Sequence, residues 1–149
     1  MSTLPILVFL VTFSFMEFVA WFTHKHVMHG FLWKLHRDHH TRDNKGPFEK
    51  NDSFFLIFAT PSSIFIFLGS YLGLPLILAV GFGIAAYGLC YFLVHDVLIH
   101  QRIKWFRRND NFYFRAIRKA HKVHHKKLDR HDGQCFGMLV VPLKYFRED

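Results

Sequence analysis

Twelve of the 149 residues are histidine, and ten of the twelve fall into four tight clusters. In chain order these are His24-x4-His29, His36-x2-His39-His40, His95-x4-His100 and His121-x2-His124-His125. Imidazole is a ligand for Zn, Cu, Fe and Ni. On an α-helix, offsets of three and four residues turn by about −60° and +40°, so each HxxHH triplet points its rings one way. The HxxxxH pairs fit an ideal helix less well, because five residues turn by about 140°. Either the two members of a pair serve different ions, or the second sits where its helix ends. Gly30, directly after His29, is a helix-stopping residue. A lone histidine at a membrane edge is usually just a polar interface residue. Four clusters together predict a metal centre.

Ten ligands are too many for one ion. Two ions with about five nitrogens each keep positions open for dioxygen, whereas structural zinc closes with four ligands and haem uses one or two. Two non-haem, redox-active irons fit best. Hydroxylating an unactivated C–H bond needs an oxidant made from O2 and two electrons, and paired irons can share that electron load. Cys90 and Cys135 form no CxxC pair, so neither a disulfide framework nor a zinc-thiolate site is expected. The chain has no Gly-rich dinucleotide fingerprint and no Fe–S cysteine spacing, so the electrons are expected from a separate reductase or ferredoxin-type partner.

The elements that must position these rings are apolar. The composition is 51% hydrophobic with nineteen Phe, more than a domain of this size can hide from water. Leu4 to Phe22 carries one charge, Glu17, and has the length of a bilayer crossing; with no basic segment or small-residue cleavage site it reads as a retained span rather than a signal peptide. Ser53 to Val94 contains no Asp, Glu, Lys, Arg or His. As helix it would extend roughly 63 Å, two crossings. Gly69, Gly73 and Pro75 mark a turn, giving spans near Phe54–Tyr71 and Leu76–Val94. Asn111 to Lys126 alternates apolar and basic residues at helical spacing, as a helix on the membrane surface would. The apolar tail Phe136–Phe146 is too short to cross and is expected to pack under the metal-binding part. The expectation is an all-α integral-membrane protein, one domain over residues 1–149, with about three spans, interfacial helices and a histidine-rich di-metal site.

The formal net charge is +8, and all nineteen Lys and Arg lie within 25–50 or 102–147. Three crossings put both basic segments on one side, which the positive-inside rule makes the cytoplasm. That places the N-terminus outside and every cluster inside, and it explains the basic charge without nucleic acid. The clusters follow directly on spans, so a long apolar substrate could reach the metals from within the bilayer.

Several stretches carry a resemblance: Met16-Glu17, HKHVMHG (His24–Gly30), HRDHH (His36–His40), FEKND (Phe48–Asp52), YGLCYFLVHDVLIHQR (Tyr87–Arg102), AHKVHH (Ala120–His125) and DGQCFG (Asp132–Gly137). With them the chain resembles the fatty acid hydroxylase/sterol desaturase superfamily and, within it, the bacterial β-carotene 3-hydroxylases. The resemblance implies a di-iron site held by the ten clustered histidines, O2 dependence, hydroxylation of the β-ionone rings of β-carotene to β-cryptoxanthin and zeaxanthin, and residence in a bacterial inner membrane. Val97 departs from the family's pattern, which has Gly after the HD pair. Related enzymes with similar histidine clusters are carotenoid ketolases and fatty acid or sterol hydroxylases and desaturases. A membrane metal transporter would be expected to place ionisable residues within its spans, and the hairpin has none.

Glu17 lies two helical turns before His24. It either holds a ligand imidazole or makes an interface hydrogen bond to backbone or a second helix. Asp38, Asp52, Asp96 and Asp132 lie beside or between the clusters as ligand-orienting candidates or solvated loop residues, Asp96 foremost because it adjoins His95. His26 points away from His24, and His131 belongs to no cluster; neither is expected to be a ligand.

Overall fold

The computed structural model describes residues 2–41, 46, 48–105, 111–131 and 133–147. They are helical, with no strand among the described residues. Helix α1, Leu4–Phe22, has Pro5 in its first turn, where a missing N–H costs nothing. It runs without a break into a π-helical segment, Thr23–Phe31, that ends in a kink at Gly30. Helix α2, Trp33–Thr41, follows. A short 3-10 turn, Lys50–Asp52, leads into α3, Ser53–Tyr71. Helix α4, Pro75–Phe92, continues as a second π segment, Leu93–Ile99. Helix α5, Phe112–His125, is capped by Asn111, whose side-chain oxygen accepts from the Tyr113 amide at 2.9 Å. A 3-10 turn, Leu143–Phe146, closes the chain.

Three helical stretches, Leu4–Phe31, Lys50–Tyr71 and Pro75–Ile99, are long and apolar enough to cross a membrane. The turn between α3 and α4 is a Schellman stop. Gly73 takes φ +65°, and the Leu74 amide reaches back to the Gly69 carbonyl at 2.8 Å. Helix α4 is the central element and packs against both α1 and α3. The approach is close: a Cβ at Gly81 would come within 2.8 Å of the Ile66 backbone nitrogen, and one at Gly83 within 2.8 Å of Thr12. Met16, Ala20 and Tyr87 form the buried centre of this layer, while outer faces such as Ile6, Phe15, Ile64 and Phe67 are exposed as lipid-facing residues are.

A second core joins α5 to the tail through Ala116, Ile117, Ala120, Val141 and Tyr145. The expected helix over 111–126 therefore forms, with Ile117 and Ala120 inward, but Phe112 is 64% exposed. The tail also reaches α1. Glu17 accepts hydrogen bonds from the amides of Met138, Leu139 and Val140 and from the Tyr87 hydroxyl, at 2.7–3.1 Å. Of its two expected roles, Glu17 takes the contact to backbone and a neighbouring helix, not a hold on an imidazole. Four donors around one carboxylate account for an acidic residue in an apolar helix.

Candidate metal centre

The ten clustered histidines converge below the spans. His24, His29, His36, His40 and His124 bring ligand nitrogens within 4.8 Å of one another, and so do His39, His95, His100 and His121. The His125 ring lies between the groups, stacked on His40 of the first at 4.4 Å and 4.5 Å from His121, 4.8 Å from His39 and 5.0 Å from His100 of the second between centroids. Its Nε2 is buried without a hydrogen-bond partner.

The HxxxxH pairs do not split between groups. His24 and His29 share one group and His95 and His100 the other. The backbone resolves the expected misfit of about 140° by leaving the α-helix. A π turn bonds residue i to i+5, as the His100 amide does to the His95 carbonyl at 2.9 Å, and so stacks a fifth residue over the first. The triplets, by contrast, do split. The i, i+4 pair His36 and His40 joins the first group, and the i+3 residue His39 joins the second. In the second half His121 belongs to the second group, beside His125, and His124 crosses to the first. Each group thus takes an HxxxxH pair and an i, i+4 pair from its own half of the chain and one histidine from the other. The order of clusters repeats in the two halves of the chain, and by that repeat His125 is a candidate fifth member of the second group.

Six of the outer ring nitrogens have acceptors, and His29 Nδ1 is buried without a hydrogen-bond partner. In the first group His24 Nδ1–H donates to the Phe136 carbonyl (3.0 Å), His36 to Asn51 Oδ1 (2.6 Å), His40 to the Lys127 carbonyl (3.0 Å) and His124 to the Gln134 carbonyl (2.8 Å). In the second, His39 donates to Glu49 Oε2 (2.7 Å) and His95 to Asp96 Oδ2 (3.2 Å). A proton fixed on Nδ1 leaves a lone pair on Nε2. The Nε2 atoms of His24 and His36, of His36 and His40, and of His39 and His95 face each other at 3.0–3.2 Å. Lone pairs so placed repel unless a cation sits among them. Two nitrogens about 2.1 Å from one ion at right angles lie about 3.0 Å apart, so this donor set fits a metal in each group.

Electrostatics agree. Burial, reinforced by neighbouring imidazoles, holds His36, His39 and His121 well below the ordinary imidazole range. Burial first lowers His40 to about 4 and His124 to about 3, and pushes His125 down further. The rings are neutral at pH 7, as ligation requires.

Sequence reasoning missed Glu49 and Asn51. Both lie in the FEKND stretch, and Glu49 also caps the turn into α3 reciprocally with Asp52. The Lys127, Gln134 and Phe136 carbonyls carry no side-chain signature at all. Asp96 Oδ2 accepts from His95 Nδ1–H, and its other oxygen takes Arg102 Nη1 at 2.8 Å. Asp52 pairs with the same guanidinium at 2.7 and 2.8 Å, so Arg102 ties the start of α3 to the end of the second π segment. Asp38 accepts from the Lys50 amide rather than from a ring. Asp132 lies outside the described residues. His26 is exposed against Phe22 and Trp21, and exposed His131 accepts from Arg130. Val97, the departure from the family pattern, is buried at 1% exposure.

Above the histidines, α1, α3 and α4 enclose a cavity of about 380 Å³, within the range of small-molecule sites. Its walls are mainly apolar, including Met16, Ala20, Phe55, Phe58 and Ile84, and it reaches His24 of the first group and His95 of the second.

Residues 9–143 match the family model described as fatty acid hydroxylase. A β-carotene hydroxylase of Pantoea ananas is 39% identical over 136 residues, covering 91% of this chain and 77% of that protein. One of Pseudescherichia vulneris is 40% identical over 128 residues, covering 85% and 70%. A chloroplastic β-carotene 3-hydroxylase of Gentiana lutea is 37% identical over 130 residues, covering 85% of this chain and 40% of that protein. No solved structure matches. On a family match that runs from within α1 to the closing turn, the chain belongs to the fatty acid hydroxylase family.

Proposed function

We propose that the chain, as a single domain over residues 1–149, hydroxylates the β-ionone rings of β-carotene with O2 at a non-haem di-iron centre. The observation that carries this is the apolar cavity among the spans that reaches one histidine of each group. The names of the similar proteins from Pantoea and Pseudescherichia support the choice of substrate.

One iron would be held by His24, His29, His36, His40 and His124, the other by His39, His95, His100, His121 and His125. When bound, the irons supply the O2-derived oxidant that a C–H bond of this strength requires. One oxygen atom would enter the C–H bond and the other leave as water, with two electrons delivered singly by a ferredoxin-type donor and two protons from solvent. The chain's own residues do the rest. Phe55, Phe58 and Ile84 exclude water and hold an apolar ring end, and the acceptors behind His24, His36, His39, His40, His95 and His124 keep their Nε2 atoms aimed inward. The substrate enters from the bilayer between helices, without crossing water. The positive-inside rule supports a cytoplasmic position for the histidines in a bacterial inner membrane. A reporter active only in the periplasm is then expected to work at the N-terminus and fail after Asp149.

Expression in a β-carotene-accumulating host tests the substrate. Products one and two oxygens heavier with an unshifted absorption spectrum are expected. A red-shifted product would be a conjugated ketone and would move the enzyme to the ketolases. Unchanged pigment with iron-loaded protein would point to an acyl or sterol substrate.

A further inference from the structure

Helix α4 contains three interior glycines, and they are not alike. Gly81 and Gly83 are required by packing, since a Cβ at either would come within 2.8 Å of a neighbouring helix. A Cβ at Gly88 would meet nothing within 4 Å. Its backbone lies within a regular helix, where glycine is a poor choice and alanine the best. Neither packing nor backbone conformation explains it. Its position does. Ile84, Gly88, Tyr91 and His95 follow one another at helical offsets, and all four line the cavity. On that stripe only Gly88 contributes no side chain, at the level between Ile84 and the ring of Tyr91, which stacks on His95 at 5.1 Å.

We propose that Gly88 is a specificity-determining residue: its missing side chain sets the width of the cavity and so the bulk of the lipid end group that can reach His24 and His95. The inference rests on the cavity being the substrate site. A cyclic, methyl-branched end group needs that width, and a straight chain does not. A Cβ at this position meets no atom within 4 Å and stands on the cavity lining, so a larger side chain narrows the route without disturbing the helix contacts.

The test uses the full-length, iron-loaded protein in lipid nanodiscs, as wild type, Gly88→Ala, Gly88→Leu and, as a packing control, Gly81→Ala. Gly88→Ala is expected to raise Tm by about 2–4 °C through helix propensity, while Gly81→Ala lowers it. Binding is read as the thermal stabilisation given by three polyenes: straight-ended, branched and ring-ended. Gly88→Leu is expected to weaken the ring-ended polyene by roughly tenfold or more, the size typical of overfilling a packed site, and to leave the straight-ended one within about twofold. Iron per chain stays unchanged. A Tm for Gly88→Ala below wild type would make the glycine a packing residue and overturn the proposal, as would undiminished ring-ended binding by Gly88→Leu. A wild type that binds ring-ended polyenes without hydroxylating them would overturn the proposed function alone, because the binding ratios still decide the role of Gly88. A wild type that binds only straight chains would overturn both.

Discussion

The two histidine groups are alike in number and topology but not in what stands behind them. Every outer-nitrogen acceptor identified for the first group is neutral: the Phe136, Lys127 and Gln134 carbonyls and the Asn51 amide oxygen. Those identified for the second group are the carboxylates of Glu49 and Asp96. A carboxylate behind an imidazole raises its basicity and adds negative charge near the ion, whereas a carbonyl mainly fixes orientation. The two groups are therefore candidate metal positions of unequal charge. The second is the better place for an ion of higher charge, and the first the better place for one that gives up electrons less readily. Burial pushes the Glu49 carboxyl up from its usual range, so its surroundings on balance weaken this charge, and the Arg102 guanidinium opposes that in part.

The largest effects come from removing ligands. His24→Ala is expected to empty the first group and His95→Ala the second, each taking iron from about two to about one per chain and activity down by about a hundredfold or more. His26→Ala and His131→Ala are expected to change neither, because both side chains are exposed. Metal analysis of the four purified variants checks this, and loss of both ions in either ligand variant would mean that the groups are not separable. Acid acts on both groups. An exposed imidazole titrates near 6.5, but His40 does so at about 4 and His124 at about 3 in the fold. Below about pH 6.5 the unfolded chain takes up protons that the folded chain refuses. Stability is complete above that pH and is lost as pH falls toward 4 and then 3. Thermal melts of the metal-free protein across this window should show a falling Tm, and a flat Tm would contradict burial of neutral rings.

Next in size is the charge difference itself. Glu49→Gln keeps an oxygen for the His39 Nδ1–H and removes the charge; Asp96→Asn does the same for His95. Either is expected to weaken the second ion by about tenfold to a hundredfold and to leave the first unchanged. Asn51→Asp makes the reverse substitution in the first group and should tighten the first ion. Stepwise metal release against a chelator reads both, and equal weakening of the two ions by Glu49→Gln would erase the distinction.

These contrasts separate what a sequence displays from what it hides. The apolar runs are long and uninterrupted, so the spans expected at 54–71 and 76–94 fall within a residue or two of Ser53–Tyr71 and Pro75–Phe92. The ten histidines stand out by type and spacing, and the structure brings all ten together. Their division into two groups was hidden because ideal helical angles were the wrong ruler: the π segments bring His24 over His29 and His95 over His100, while the α-helical triplets straddle both groups. The supports divide in the same way. Asp96 was visible beside His95, whereas the Phe136 and Gln134 carbonyls act through their backbone and could be found only once the tail was placed.

That tail links Glu17 to the comparison and supplies the smallest effect. Glu17 binds the amides of residues 138–140, and the same stretch of chain presents the Phe136 and Gln134 carbonyls to His24 and His124, both in the first group. The Phe136 ring also packs on His24, His29 and His124, at 5.1–5.4 Å. The tail lies close at Gly137, where a Cβ would come within 3.0 Å of Glu17 Oε1. Glutamine at position 17 is nearly isosteric, but its NH2 would face amide N–H groups where an oxygen now accepts. The strap would then loosen without leaving. Glu17→Gln is expected to weaken the first ion by about threefold to tenfold, less than direct loss of a ligand's partner, and to leave the second ion alone, since Glu49 and Asp96 do not lie on the strap. Glu17→Asp, which keeps the charge with a shorter reach, should recover part of the loss. Chelator release of the first ion, measured beside Tm, distinguishes positioning from general destabilisation: a fall in Tm that weakens both ions equally would show that Glu17 only holds the fold together.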